Sequence, residues 1–401
     1  MRLSKSIGWV ALIMAVLLAG SFQPAHAQVE EPYLPTMQPP TELAPESGEL
    51  AADSTVLNFP SLKAVLIVGP MGPADYLTGQ LDTSRTTAAA LRSYGMQVVE
   101  LYTPNATWQQ VKKEAADAQF ILYRGHGIRW SADETNVGGF ALDDGLISPD
   151  TIRREMKVGR NAIFMFFSCY SAGSEGDPNR EPVSASTANG RVDSYARAVL
   201  DIGAAGYYAN WRGTAFQDII RSLLQGQTLL QAYQSNQVSK TTLNSTNPSH
   251  PDLDLRIGYD EFSATSAYYD NAFTGKANAT LQTLFNELKA PAQITHIIPK
   301  GSGIVEYTVP VSSSLNLSIP WTAAITSGEG SWLPVTQWSG TTGESLLLQV
   351  DTTLIPENIR QSAVLHIHTN DPNVANPDLD VPIEIIVTCY RYKVNLPLVL
   401  R

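Results

Sequence analysis

One cysteine and one histidine stand where two short apolar runs end, and they are the residues of this chain best placed to do covalent chemistry. The run Phe120–Tyr123 passes through Arg124 and Gly125 into His126-Gly127, and the run Ala162–Phe167 passes into Ser168-Cys169. A thiolate attacks a carbonyl carbon and the departing group needs a proton, so a thiol hydrolase needs an imidazole within reach of its sulfur. Gly127 carries no side chain that would keep its backbone N–H out of a site, and together with the N–H of Cys169 it could stabilise an oxyanion. The plain alternatives are a turn histidine at His126 and a small buried apolar residue at Cys169.

For the pair to meet, both runs must be buried strands pointing the same way. An open α/β sheet does this by bringing the carboxyl ends of its strands to one edge. The residues between His126 and Cys169 suffice for a crossover, as parallel strands require. The surrounding pattern fits. Ala64–Val68 and Val98–Tyr102 read as further strands, and a helix capped by Asp82 or Thr83 is expected through Gln97. Another helix should start at Asn105 or Thr107 and run to Ala118. After a short helix over Pro149–Met156, the sequence gives a helix over Val192–Ile202, a strand over Ala204–Ala209, and a helical pattern over Ala215–Gln234 interrupted at Gly226. Such alternation predicts an α/β fold with a mostly parallel sheet covered on both faces. The loop from Tyr170 to Pro178 is too rich in turn residues for regular structure, and Arg129–Arg160, with Trp130, suits the wall of a cleft.

The 401-residue chain has room for more than one core. Residues 1–27 carry Arg2 and Lys5, an apolar run from Ile7 to Leu18 and Ala25-His26-Ala27, the layout of a secretory signal peptide, which implies a secreted or cell-surface protein. Its removal takes no acidic residue and moves the formal charge from −11 to −13. An acidic chain without basic clusters is a poor partner for nucleic acid or anionic lipid, and no later apolar stretch is long enough to span a membrane. Residues 28–59, acidic and proline-rich, read as a solvated leader or a pro-segment over the site. From about residue 290 the pattern becomes strand-only, with strands expected at Ile304–Val309, Leu315–Trp321, Trp332–Val335, Ser345–Val350, Ala363–His368 and Val381–Tyr390. That spacing predicts an antiparallel sandwich over 290–390, followed by a short tail, 391–401. Cys169 and Cys389 are the two cysteines, and in an exported protein they could pair.

The motifs Arg124-Gly125-His126-Gly127, Leu142-Asp143-Asp144-Gly145 and Phe166-Phe167-Ser168-Cys169-Tyr170-Ser171-Ala172-Gly173 resemble the caspase-like cysteine peptidases, a group that includes caspases, metacaspases, legumains and gingipains. Gly203-Ala204-Ala205-Gly206-Tyr207 and Leu224–Leu229 are most similar to the gingipain side. The resemblance covers roughly residues 60 to 285, so that 60–289 would be the peptidase domain. It implies a dyad of His126 and Cys169, with the amides of Gly127 and Cys169 as the oxyanion hole. Metacaspases and legumains carry an acidic residue two positions before the cysteine, where this chain has Phe167, so their specificity does not carry over. Asp144, Glu175 and Asp177, and the basic Arg124 and Arg129, are the nearby charges, each more simply read as a solvated loop residue.

The C-terminal region resembles the bacterial immunoglobulin-like modules called BACON domains, through Ile319-Pro320-Trp321, Ser331-Trp332-Leu333 and Ser339-Gly340. That implies a carbohydrate- or surface-binding accessory role or a spacer. Trp321, Trp332 and Trp338 could stack on sugars or fill the core. Asp371 and Asn373 could hold calcium, although a turn explains them. His296, His366 and His368 show no metal-ligand spacing.

The expectation is thus a secreted cysteine endopeptidase acting on protein or peptide substrates through a thioacyl-enzyme, with no cofactor or metal required. The alternatives are a non-catalytic surface or adhesion protein with a peptidase-like domain and a binding sandwich, and a structural module with Cys169 bonded to Cys389.

Overall fold

The computed structural model describes residues 62–389 except 177–180, 238, 240 and 329. The signal peptide, the leader, the tail and Asp177 therefore lie outside the described residues.

Runs of apolar residues too short for helices become the central strands. β1 (Lys63–Val68), β3 (Phe120–Arg124) and β6 (Ile163–Phe167) are buried almost throughout, whereas β2 (Gln97–Tyr102) is half-exposed because it lies at an edge. With β7 (Gly206–Asn210) they form a parallel set in the order β2-β1-β3-β6-β7. A β4–β5 hairpin (Phe140–Leu142 and Gly145–Ile147) stands apart from the sheet. Beyond β7 the chain adds β8 (Thr241–Thr246), β9 (Asp254–Glu261) and β10 (Ala267–Gly275) as antiparallel neighbours, so the eight-stranded sheet is mixed. The sequence does not announce these three strands: β8 is almost wholly polar, and as the edge strand it buries none of its residues.

Helices cover both faces. α1 (Ala74–Ser93) packs Ala88 and Leu91 onto one face, joined there by α5 (Ala215–Leu224), α6 (Leu229–Ser235) and α7 (Leu281–Phe285). α2 (Trp108–Ala115), α3 (Pro149–Glu155) and α4 (Ala185–Leu200) pack on the other. Serine caps set two of these starts: Ser148 Oγ accepts from Thr151 N–H, and Ser184 Oγ accepts from Thr187 N–H at 3.1 Å. Gly226, at φ 88°, ends α5, and the Thr228–Gln231 capping box starts α6. Two helix starts differ from the sequence expectation. α1 begins directly after Pro73 rather than at Asp82 or Thr83, its first turns carrying Tyr76, Leu77 and Leu81 around the helix-weakening Gly79, and α4 begins at Ala185 rather than Val192, because its first turns are small and polar and show no apolar period. Among the described residues no helix is long and apolar enough to cross a membrane.

A third apolar cluster, from Leu288 to Val387, lies between a five-stranded sheet and a strand pair. The two-residue β11 (Leu288–Lys289) opens this region, followed by β12 (Ile294–Pro299), β13 (Ile304–Pro310) and the two-residue β14 (Ser312–Ser313), which pairs with β11. Then come β15 (Pro320–Ser327), β16 (Gln337–Thr341), β17 (Ser345–Asp351), β18 (Arg360–His368) and β19 (Asp378–Thr388). The larger sheet runs β12-β19-β18-β15-β16 and the smaller pairs β13 with β17. The expected all-antiparallel pattern fails at one place, where β12 lies parallel to β19. Trp332–Val335 is a turn and loop instead of a strand, buried at Trp332 and Leu333 and exposed at Pro334, which lacks an N–H to donate, and the strand there is β16. Leu315–Ile319 also stays out of the sheet: Leu315 joins the α7 side of the first unit, where Phe285 lies. The junction is polar as well. Ser313 Oγ donates to Asn286 Oδ1 at 2.6 Å, and Arg160 pairs with Glu287 at 2.8 Å.

Candidate active site

The register of β3 against β6 fixes where His126 and Cys169 stand. The last paired rung is Arg124↔Phe167, and both residues follow it by two positions, at the carboxyl edge of the parallel strands. Gly125 N–H donates to Phe167 O at 3.3 Å, carrying the pairing one step past the strands. The two loops then touch. A Cβ placed on Gly127 would lie 2.0 Å from Cys169 O and 2.8 Å from Cys169 Cβ, so only glycine allows this approach.

Tyrosine hydroxyls hold the two loops. Tyr123 lies within β3, and its hydroxyl accepts from Ala141 N–H at 2.9 Å and reaches the carbonyl oxygen of His126 at 3.2 Å. Tyr195 on α4 donates to Cys169 O at 3.1 Å, and Tyr207 on β7 donates to Ser171 O at 2.7 Å. None of the three was singled out by the sequence. The signal was available in principle, because a tyrosine buried in an apolar face needs a partner for its O–H.

The segment after the cysteine is closed. Cys169 is 0% exposed, and Tyr170–Gly176 are all buried. Tyr170 adopts φ 66°, an uncommon conformation for a side chain of its size. Its N–H donates to Ser174 O and its hydroxyl to Glu175 Oε1, both at 2.9 Å. Arg191, itself 1% exposed, lies over the Tyr170 ring and donates to Gly173 O at 3.1 Å. Ser174 Oγ accepts from Tyr269 N–H at 2.9 Å, tying the segment to β10.

Burial governs the ionisation of both candidate groups. The Cys169 thiol is pushed up to about 11, chiefly by desolvation, with the nearby Glu175 carboxylate adding to it. The backbone amides of Gly176, Gly127 and Cys169 itself act the other way by favouring the thiolate, but burial outweighs them. His126, half-buried, is held below the usual imidazole range by the same desolvation, and its Nδ1 has no hydrogen-bond partner among the described residues. In this closed arrangement the neutral thiol and neutral imidazole are both favoured. A thiolate would need the 170–176 segment to open or a substrate to displace it.

The nearby charges resolve differently. Asp143 accepts from Ala106 N–H at 2.7 Å and Asp144 from Trp108 N–H at 3.0 Å, so this pair secures the start of α2. Arg124 is buried on the opposite face of the sheet, between the rings of Phe167 and Phe216 at 4.7 and 4.6 Å, where it donates to Gln80 Oε1. Asp144, exposed in the β4–β5 turn, is the solvated loop charge expected from the sequence although it also caps α2, whereas Arg124 is not, because its aromatic partners bury it. Glu175 too is buried, against Tyr170, leaving Arg129 half-buried in a bridge to Val137. Cys169 and Cys389 are both free thiols, the first buried and the second exposed beside Glu357. The disulfide alternative therefore does not describe this structure.

In the sandwich, Trp321 and Trp332 are 3% and 5% exposed and belong to the core, while Trp338 is half-buried and donates from Nε1 to Leu347 O. Asp371 Oδ1 accepts from Asn373 N–H at 2.8 Å, the turn geometry that explains both residues.

No protein-family model matches the chain, and no curated protein matches it. Among solved structures the chain is similar to DIP-gamma IG1+IG2, at 8% identity and a TM-score of 0.17 over 33% of this chain and 72% of that one. It is also similar to a Kluyveromyces lactis allophanate hydrolase, at 10% identity and a TM-score of 0.14 over 82% of this chain and 56% of that one. Scores this low carry no argument about fold or function.

Proposed function

We propose that the chain is an exported cysteine endopeptidase with a caspase-like catalytic domain and an immunoglobulin-like, BACON-like sandwich behind it. The observation that carries this reading is the shared rung: His126 and Cys169 each follow the Arg124↔Phe167 pair by two residues on adjacent parallel strands. Cys169 is the nucleophile and His126 the group that takes its proton and later delivers it to the leaving amine. The carbonyl carbon gains the C–S bond and loses the C–N bond, and water then cleaves the thioester. The amides of Gly127 and Cys169, already aimed at the sulfur, are the donors for the developing oxyanion.

The full burial of Cys169 favours a second reading, a non-catalytic surface or adhesion protein whose peptidase-like domain keeps the geometry without turnover. Incubation with peptides carrying a thiol-reactive electrophile, followed by mass spectrometry, separates the two. The peptidase reading expects a peptide-dependent adduct on Cys169 that substrate peptides suppress. Labelling confined to the exposed Cys389 overturns it.

A further inference from the structure

On the outer face of the five-stranded sheet the pairing of β18 with β19 creates a cluster that the linear spacing of histidines conceals. His366 lies opposite Asp380 and His368 opposite Asp378. Asp378 Oδ1 stands between the two rings, 3.3 Å from His366 Nε2 and 2.8 Å from His368 Nδ1. The ligand-capable atoms of His366, His368 and Asp378 all lie within 4.8 Å of one another.

Each ring nitrogen that faces away from Asp378 has its own acceptor. Asp380 Oδ1 is 2.7 Å from His366 Nδ1, and Asn370 Oδ1 is 2.9 Å from His368 Nε2. A carboxylate only accepts, so His366 carries a proton on Nδ1 and can present a lone pair at Nε2. The Asn370 oxygen likewise calls for N–H at His368 Nε2, which makes Nδ1 the free donor once its own proton leaves. Partners of this kind fix the ring orientation and tautomer of histidines that bind metals.

We propose that His366 Nε2, His368 Nδ1 and the Asp378 carboxylate form a site for a divalent first-row transition ion of the zinc class. Donors about 2.1 Å from a tetrahedral ion lie about 3.4 Å from one another, close to the 3.3 and 2.8 Å between Asp378 Oδ1 and the two rings, so the ion replaces a proton between His368 and Asp378 with little backbone movement. Two imidazoles and one carboxylate are an N,O set suited to such ions. The fourth coordination position is open. Next to the imidazoles the neighbouring strands present the small Thr322 and Ala324, then Gln337 and Ser339, along a groove of about 510 Å³. An ion held there takes water or an oxygen donor from a ligand in that groove. The site belongs to the sandwich and is independent of the thiol chemistry proposed above.

The test uses the full chain, freed of metal with a chelator and titrated with Zn²⁺ against a chromophoric competitor, with Co²⁺ absorption as a second readout. One equivalent should bind, also in a Cys169→Ala background, which excludes binding by that thiol. The double variant His366→Ala/His368→Ala should lose at least about 100-fold in affinity, and Asn370→Ala about 10- to 100-fold. His296→Ala should bind as the unaltered chain does, since His296 stacks on Tyr307 instead. If the double variant departs from the parent in circular dichroism, the near-isosteric Asp378→Asn takes its place and should show the same loss. Absence of a stoichiometric ion at low micromolar concentration, or retained affinity in Asp378→Asn, overturns the proposal.

Discussion

The two histidine-bearing clusters are built on opposite plans. At the edge of the α/β sheet, His126 and Cys169 are brought together by parallel strands that end on the same rung, inside a closed and nearly dry space. On the sandwich, His366 and His368 meet Asp378 and Asp380 by direct cross-strand pairing on a wet face. The first environment favours neutral forms, raising the thiol and lowering the imidazole. The second supplies an acceptor to every ring nitrogen, and His368 is held above the usual imidazole range by Asn370 and Asp378. Topology thus makes a site whose charges must be released before they act, whereas a ladder makes one whose charges are already compensated.

The largest expected effect is on the first cluster. Cys169→Ala should reduce peptide cleavage by at least about 10³-fold, because Cys169 is the one thiol among the described residues of that edge and the neighbouring serine hydroxyls are far weaker nucleophiles than a thiolate. The circular dichroism should remain that of the parent, since a thiol exchanged for a methyl leaves the packing nearly intact. Cleavage that survives in this variant would show that the nucleophile lies elsewhere.

His126→Asn comes next. Asparagine keeps a hydrogen-bonding side chain of similar reach and loses the proton shuttle, so turnover should fall by about 10²- to 10⁴-fold. Steady-state kinetics settle it, and a loss under tenfold would leave His126 with only an orienting role.

A third measurement turns the closed environment into a stability difference. Burial pushes the folded thiol up to about 11, above its ordinary value, so the unfolded chain loses its proton first as pH rises. Stability from this group is full below about pH 8.5 and declines as pH climbs through 11, on the order of 3 kcal/mol in all. Denaturant unfolding of the parent and Cys169→Ala at pH 8 and pH 10.5 should show the parent losing more. Equal losses would mean that the thiol is solvated in solution and that the 170–176 segment is open.

Much of the first site was legible in the sequence because its information is local. Two apolar runs, each ending in one reactive residue, are enough to fix strand direction, and the rung follows from the run lengths. What covers the thiol was not legible. Arg191 and Tyr195 come from α4, Tyr207 from β7 and Tyr269 from β10, and no spacing along the chain reveals that three side chains and the Tyr269 backbone N–H converge on residues 169–174. The strands β8 to β10 were missed because polar or weakly alternating sequence gains its strand character from the neighbour it pairs with. The second cluster was not legible for a related reason. His366 and His368 alone offer two donors; the third, Asp378, and the Asp380 carboxylate that orients His366 arrive only when the turn at 369–377 sets the β18–β19 register. Inter-strand register over that distance is a tertiary property.

The smallest effect tests the comparison most directly, because the two environments should give opposite pH slopes. Burial lowers the pKa of His126, so as pH falls through about 6.5 the unfolded chain takes up the proton first and stability drops. For His368 the folded pKa is raised, so the folded chain takes up the proton first; its contribution is present below about 6.5 and lost as pH rises through the folded value. In a chelating buffer, unfolding of the parent, His126→Asn and His368→Asn between pH 7.5 and 5.5 isolates the two. Relative to the parent, His126→Asn should gain stability as pH falls, and His368→Asn should lose it. The second slope should be the shallower, since His368 is solvent-facing and its ion pair is screened by water and salt. Slopes of the same sign would mean that the rings share one kind of environment, and the contrast between a dry topological site and a wet ladder site would fail.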